Sequence, residues 1–171
     1  SEMSIRDRVQ DRYDSSLGKK RKRALLEQFK RLYDEQGVRR YYVGGALGVD
    51  MWAGELILRL KEQPGYGDIE LVVVLPFEGH DAKWDERSKR RMDFLLRMCS
   101  DCVVIGKEDC RESYIKRNCY MVDHADYLVA VYYNERNLRS GTMQCVRYAE
   151  LHRKTIIFIS PDTGKTMHGC F

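Results

Sequence analysis

The run Ile69-Glu70-Leu71-Val72-Val73-Val74-Leu75 constrains this chain more than any other stretch. It is nearly all apolar and lacks the in–out alternation of a strand with one wet face. Such a segment reads as a strand covered on both sides, the place of an inner strand in a parallel sheet. Parallel neighbours cannot be joined by hairpins, so helical crossovers must flank it. The rest of the sequence supplies them. Helical patterns run from about Lys20 to Gln36, then over 50–62, 82–99, Arg111 to His124, and Gly141 to about His152. Strands are expected at 39–43, 69–75, 102–105, 127–132 and 155–159. This alternation predicts an α/β fold: a three-layer αβα sandwich with a mostly parallel sheet of about five strands and right-handed crossovers.

Residues 1–18 are polar and weakly periodic, and read as a flexible or partly helical arm before a single domain over 19–171. A chain of 171 residues can bury a sizeable core. No apolar run approaches the length of a membrane span and no secretory signal opens the sequence, so no membrane partner is expected and the cytoplasm is the expected location. The six cysteines lack disulfide-framework spacing. Cys99 and Cys102 form a C-x-x-C, but no second pair or histidine cluster completes a metal site, so the cysteines read as small core residues kept reduced. The net charge of +4 is modest. Lys19-Lys20-Arg21-Lys22-Arg23 could touch nucleic acid, yet it runs into an amphipathic helix and is explained as well by a solvated helix face.

Chemistry concentrates at Val43-Gly44-Gly45-Ala46-Leu47-Gly48-Val49-Asp50, between the strand at Tyr41-Tyr42-Val43 and a helix carrying Trp52, Ala53, Leu56, Ile57 and Leu60 on one face. Glycines let backbone turn sharply and approach a ligand closely, and the amides of the new helix then point at an anion. The spacing is neither the dinucleotide fingerprint nor a P-loop. Asp50 stands either as the helix cap or as an acceptor for a sugar hydroxyl. Gly141-Thr142 repeats the arrangement at a second helix start. If their strands are neighbours, both helices can face one phosphorylated ligand across the carboxyl edge of the sheet.

Three segments carry a family resemblance. They are Gly44 to Ala53 with Glu55; Leu75-Pro76-Phe77 with Lys83-Trp84; and Lys116-Arg117-Asn118 through Met121-Val122-Asp123 to Asp126, continuing to Gly141-Thr142 and Val146-Arg147-Tyr148-Ala149. Together, over about residues 24 to 160, they resemble the YpsA-like branch of the SLOG superfamily, the group that includes the LOG and DprA proteins. The resemblance implies a Rossmann-like fold and a site for a nucleotide or nucleotide-derived ligand. Members usually begin with a strand ending in a Thr-Gly-His-Arg-Pro-like segment, and nothing like it precedes the first helix here. Either the strand is lost or another part fills its slot, with Met167-His168-Gly169-Cys170-Phe171 as the candidate.

The expected ligand-binding set is Gly44, Gly45, Gly48, Asp50, Glu55, Pro76, Phe77, Trp84, Arg117, Asn118, Asn134, Gly141 and Thr142. Each has a plainer role to set beside it. The glycines could simply need positive φ, Thr142 could be an N-cap, and Phe77 and Trp84 could be core rather than base-stacking groups. Arg117 could pair with Asp123 or another acid instead of a phosphate. Asn134 follows a strand end, where a polar group reads a ligand. His80 titrates in a useful range, but one loop histidine is thin evidence and stays outside the set.

For an enzyme, the weak catalytic candidates are Glu55 and Arg117. LOG enzymes cleave the N-glycosidic bond of nucleoside monophosphates, and Arg117 resembles their helix arginine. Cys145, however, stands where their glutamate would be, and Leu138-Arg139-Ser140 replaces their Pro-Gly-Gly. Glycoside chemistry wants a carboxylate beside the sugar. The sequence therefore favours binding or sensing of AMP, ADP-ribose or an NAD-like ligand. A nucleotide N-glycosidase comes second and a DprA-like DNA-binding module third. No cofactor beyond such a ligand and no metal is expected, and a homodimer is compatible with the pattern.

Overall fold

A computed structural model describes residues 15–131, 141–160, 163 and 165–169. Helix α1 (Ser15–Gln36) opens them and stops at Gly37, which takes φ +72° as a helix-ending glycine does. Then follow β1 (Arg40–Val43), α2 (Val49–Lys61), β2 (Glu70–Leu75), α3 (Glu86–Met98), β3 (Asp101–Val104) and α4 (Arg111–His124). The remainder is β4 (Tyr127–Val131), α5 (Gly141–Leu151), β5 (Thr155–Ile159) and β6 (Thr166–Gly169). All five expected strands are present, in the expected alternation with helices.

Their hydrogen bonding forms two three-stranded sheets. In the first, β1, β2 and β3 run parallel in that order, with Tyr41 opposite Leu71 and Val73 opposite Cys102. In the second, β4 and β5 are parallel with Val129 opposite Ile157, and β6 joins β5 antiparallel. The tail thus does become a strand, but it stands beside β5 and not beside β1. As the central strand of its sheet, β2 is buried from Leu71 to Leu75, which accounts for its unbroken apolar run. By contrast β3 is an edge strand, and Cys102 and Val104 are exposed on it.

Side-chain alternation along β4 and β5 builds the layers. Val129, Val131 and Ile159 pack into one apolar cluster with Leu25 and Phe29 of α1, Ile57 and Leu60 of α2, Met92 and Leu95 of α3, and Leu71 and Val73 of β2. Their neighbours Leu128, Ala130, Ile156 and Phe158 pack into the other, with Val122 of α4 and Cys145, Val146 and Ala149 of α5. Because successive strand residues point to opposite faces, α1–α3 cover one side and α4–α5 the other. This is the three-layer α/β arrangement of a Rossmann-like fold.

Helix α3 starts later than its apolar pattern suggests, at Glu86 rather than 82. Asp85 takes an extended conformation and accepts a 2.9 Å hydrogen bond from the Ser88 amide, while Ser88 Oγ donates to its other oxygen at 2.8 Å. An N-cap of this kind is worth about 1 kcal/mol and fixes the boundary. Residues 78–83 are thereby left as turns at the carboxyl end of β2.

Candidate functional site

The glycine loop bridges the end of β1 and the start of α2. Gly45 and Gly48 have φ of +67° and +83°, conformations that favour glycine. Gly44 is constrained by proximity instead. A Cβ there would lie 2.7 Å from Asp50 Oδ2 and 2.9 Å from Arg117 Nη1. One on Gly45 would lie 2.7 Å from Leu75 Cδ2, at the last residue of β2. The loop therefore sits over the carboxyl ends of β1 and β2, the edge where open α/β sheets take their ligands.

Asp50 does not cap α2. The cap position is Gly48, and no side chain bonds there. Because the helix begins at Val49, Asp50 falls within its first turn, and its carboxylate folds back to the Ala46 amide at 3.4 Å. The loop thus presents a carboxylate and a guanidinium near the same glycine.

Arg117, which carries that guanidinium, is only 2% exposed. Arg117 Nη1 donates to the Gly44 carbonyl, and Nε donates to Asn118 Oδ1 at 2.8 Å. Among the described residues no carboxylate comes within 4.0 Å of it, so the alternative role, an ion pair with Asp123 or another acid, is not taken up there. Asp123 instead accepts from the Tyr148 hydroxyl at 2.8 Å. Asn118 is itself buried, and its Nδ2 reaches α5: it donates to Gln144 Oε1 at 3.0 Å and lies 3.5 Å from the Gly141 carbonyl oxygen. Two adjacent residues of α4 thereby link the two glycine-started helices. Thr142 lies partly buried in the first turn of α5.

His80 belongs to this cluster although sequence reasoning left it out. Its Nε2 lies 2.8 Å from the Gly45 carbonyl, and its ring meets Trp84 edge-on at 5.1 Å. Burial chiefly holds its pKa below the ordinary value, and the nearby Arg117 adds to that, against the opposing pull of Gly45 and Asp81. The neutral ring donates from Nε2. The available signal was positional: His80 follows β2 on the sheet edge that the glycine loop crosses.

Other expected site residues are tied into the fold. Both Glu55 oxygens are held by Arg91 of α3, one of them at 3.3 Å from Nε. Phe77 is buried edge-on against Tyr114 at 5.8 Å, and the Pro76 carbonyl accepts from the Gly106 amide at 2.7 Å. Trp84 packs its partly buried ring against the core beside His80. Asn134 lies outside the described residues. Cys145 is buried, and burial with the nearby Asp50 charge pushes its thiol up to about 12, so it is neutral at physiological pH. Of the other described cysteines none is fully buried, and Cys102 is exposed, a departure from the core role expected of them. No cluster of metal-ligating side chains occurs among the described residues, and none of their helices is long and apolar enough to cross a membrane.

A three-layer α/β domain in which helices alternate with mostly parallel strands, one of them entered through a glycine loop at a strand's carboxyl end, defines a Rossmann-like protein. Comparison of the whole sequence then gives the family: the chain belongs to the YspA SLOG family, whose model matches residues 13–163. It is similar to a UPF0398 protein of Staphylococcus epidermidis, 25% identical over 117 residues, or 67% of this chain and 61% of that protein. It is similar also to a UPF0398 protein of Bacillus cereus, 28% identical over 104 residues, which cover 60% of this chain and 55% of the relative. The chain thus spans less than two thirds of the length of these relatives.

Proposed function

We propose that the glycine loop and Arg117 form a binding or sensing site for a nucleotide or nucleotide-derived ligand of the AMP, ADP-ribose or NAD type. One observation carries this reading: Arg117 is buried without a carboxylate partner among the described residues, at the junction of two glycine-started helices. A buried cation normally needs an anion, and a guanidinium fork suits a phosphate. The first-turn amides of α2 add donors and a favourable dipole. Asp50 would repel a bare phosphate but accepts well from a hydroxyl. A ribose phosphate satisfies both groups, with its hydroxyls toward Asp50 and its phosphate toward Arg117.

The hydrolase alternative loses support here. Glu55 is engaged by Arg91 and Cys145 is a neutral thiol, so Asp50 is the carboxylate at the loop. Thermal shift with AMP, ADP-ribose and NAD at millimolar concentration tests the proposal. A stabilisation that disappears in Arg117→Met is expected, and no shift with any of the three would overturn it. Free base released from AMP and lost in Asp50→Asn would replace binding with catalysis.

A further inference from the structure

Helix α3 faces two environments. Met92 and Leu95 are fully buried, and Leu96 packs partly buried beside them. On the opposite side, at spacings of three, four and three, stand Arg87, Arg90, Phe94 and Arg97, all exposed. At 3.6 residues per turn these four form a single stripe. Other basic residues of this helix are neutralised: Arg91 by Glu55, and Lys89 by Glu86 at 3.6 Å. Arg87, Arg90 and Arg97 have no ion-pair partner among the described residues. Between the last two sits Phe94, 43% exposed, where water gains nothing from it. A shallow groove of about 520 Å³ runs alongside, lined by Arg90, Asp93, Leu96 and Arg97.

The stripe belongs to a layer with the same sign. Basic residues outnumber acidic ones by seven to three in α1, equal them at two and two in α2, and outnumber them by five to two in α3. The helices of the opposite layer carry an excess of only one, three basic to two acidic in α4 and one to one in α5, against the seven of this layer. A one-sided field of this kind steers a polyanion to that face.

We propose that the outer face of α3 docks single-stranded nucleic acid, with Arg87, Arg90 and Arg97 on its phosphates and a base stacked on Phe94. A duplex would satisfy the guanidiniums but hides its base faces, leaving Phe94 unused. An unpaired strand uses both, and stacking on an aromatic is tolerant of sequence because every base has a π-face. The helix rise of ~1.5 Å per residue sets Arg90 and Arg97 about 10 Å apart along the axis with Phe94 between them, room for a flipped-out base between two phosphate contacts.

Fluorescence anisotropy of a labelled oligothymidine with the full chain tests this, at several salt concentrations. Affinity should fall with salt at a log–log slope of about −2, as three phosphate contacts on a single strand require. The double variant Arg90→Glu/Arg97→Glu should bind at least tenfold more weakly, and Phe94→Ala about tenfold. All three positions are exposed, and unchanged melting curves would show that these variants still fold. Arg117→Met should bind the oligonucleotide like the wild type, which separates this surface from the glycine-loop site. Absent binding, salt-independent binding, or equal affinity for duplex and single strand with no effect of Phe94→Ala would overturn the proposal. So would a loss confined to Lys19→Glu/Lys20→Glu, which would move the surface to α1.

Discussion

Two helices of this protein begin with a glycine, after strands β1 and β4 that lie in different sheets and so are not the neighbours the sequence reading required, and they are built differently. The loop before α2 is fixed from every side: positive φ at Gly45 and Gly48, Leu75 beneath, Asp50 folded back, and Arg117 and His80 each bonded to one of its carbonyls. The start of α5 touches that network through Asn118, mainly by way of the Gln144 side chain. A glycine followed by a helix is thus only an opportunity for an anion site. What distinguishes the first is a set of buried and half-buried polar side chains, two of them from distant segments, that hold its backbone in place.

The sharpest test of this contrast exchanges the two glycines for alanine. Gly44→Ala forces a methyl against Asp50 and Arg117, and should cost about 3 kcal/mol, read as a lowered midpoint in urea denaturation, with loss of nucleotide-induced stabilisation. Gly141→Ala, at a helix start, should stay within about 1 kcal/mol of the wild type. Equal losses would erase the distinction between the loops. Arg117→Met comes next. It leaves the Gly44 carbonyl and Asn118 without their donor, at a cost of about 2 kcal/mol by the same measurement. Arg117→Lys keeps the charge without the fork, and should not restore the nucleotide shift.

A double-mutant cycle on Asn118→Ala and Gln144→Ala measures how firmly the second helix is attached to the first loop. A coupling of about 1 kcal/mol is expected, and additivity would mean that the helices are independent. The smallest effect concerns pH. His80 titrates below 6.5 in the folded protein, so the unfolded chain takes up the proton first. Stability should therefore decline as pH falls through 6.5 toward the folded value, and level off below it. His80→Gln should flatten that decline in melting curves recorded across the same window.

Much of this architecture was legible in the sequence because burial writes itself into residue patterns. The continuous apolar run of β2, the periodic faces of the helices and the glycine after α1 each report a local cause. Other features depend on partners far along the chain. Asp50 reads as a cap until Gly48 is seen to occupy that position. Glu55 reads as a ligand-facing carboxylate until Arg91, on another helix, claims it. His80 is an unremarkable loop residue by sequence, and its role follows from a crossing of β2 and the glycine loop that no local pattern records. Arg117 stands out by type and position, whereas the lack of a carboxylate partner among the described residues follows from the packing of α4 against α5, where Asp123 is taken by Tyr148.

The antiparallel pairing of β6 on β5 has a consequence for handling this protein. Thr155-Ile156-Ile157-Phe158-Ile159 combines β-branched and aromatic residues with no charge, the composition that self-assembles into fibrils when its edge is bare. The pairing of Ile156 through Ile159 with Gly169 through Thr166 occupies that edge with the chain's own backbone. A version shortened before Thr166 would offer a row of unpaired amides and carbonyls to its neighbours, and its solubility would fall with concentration even where every residue of the glycine-loop site is intact.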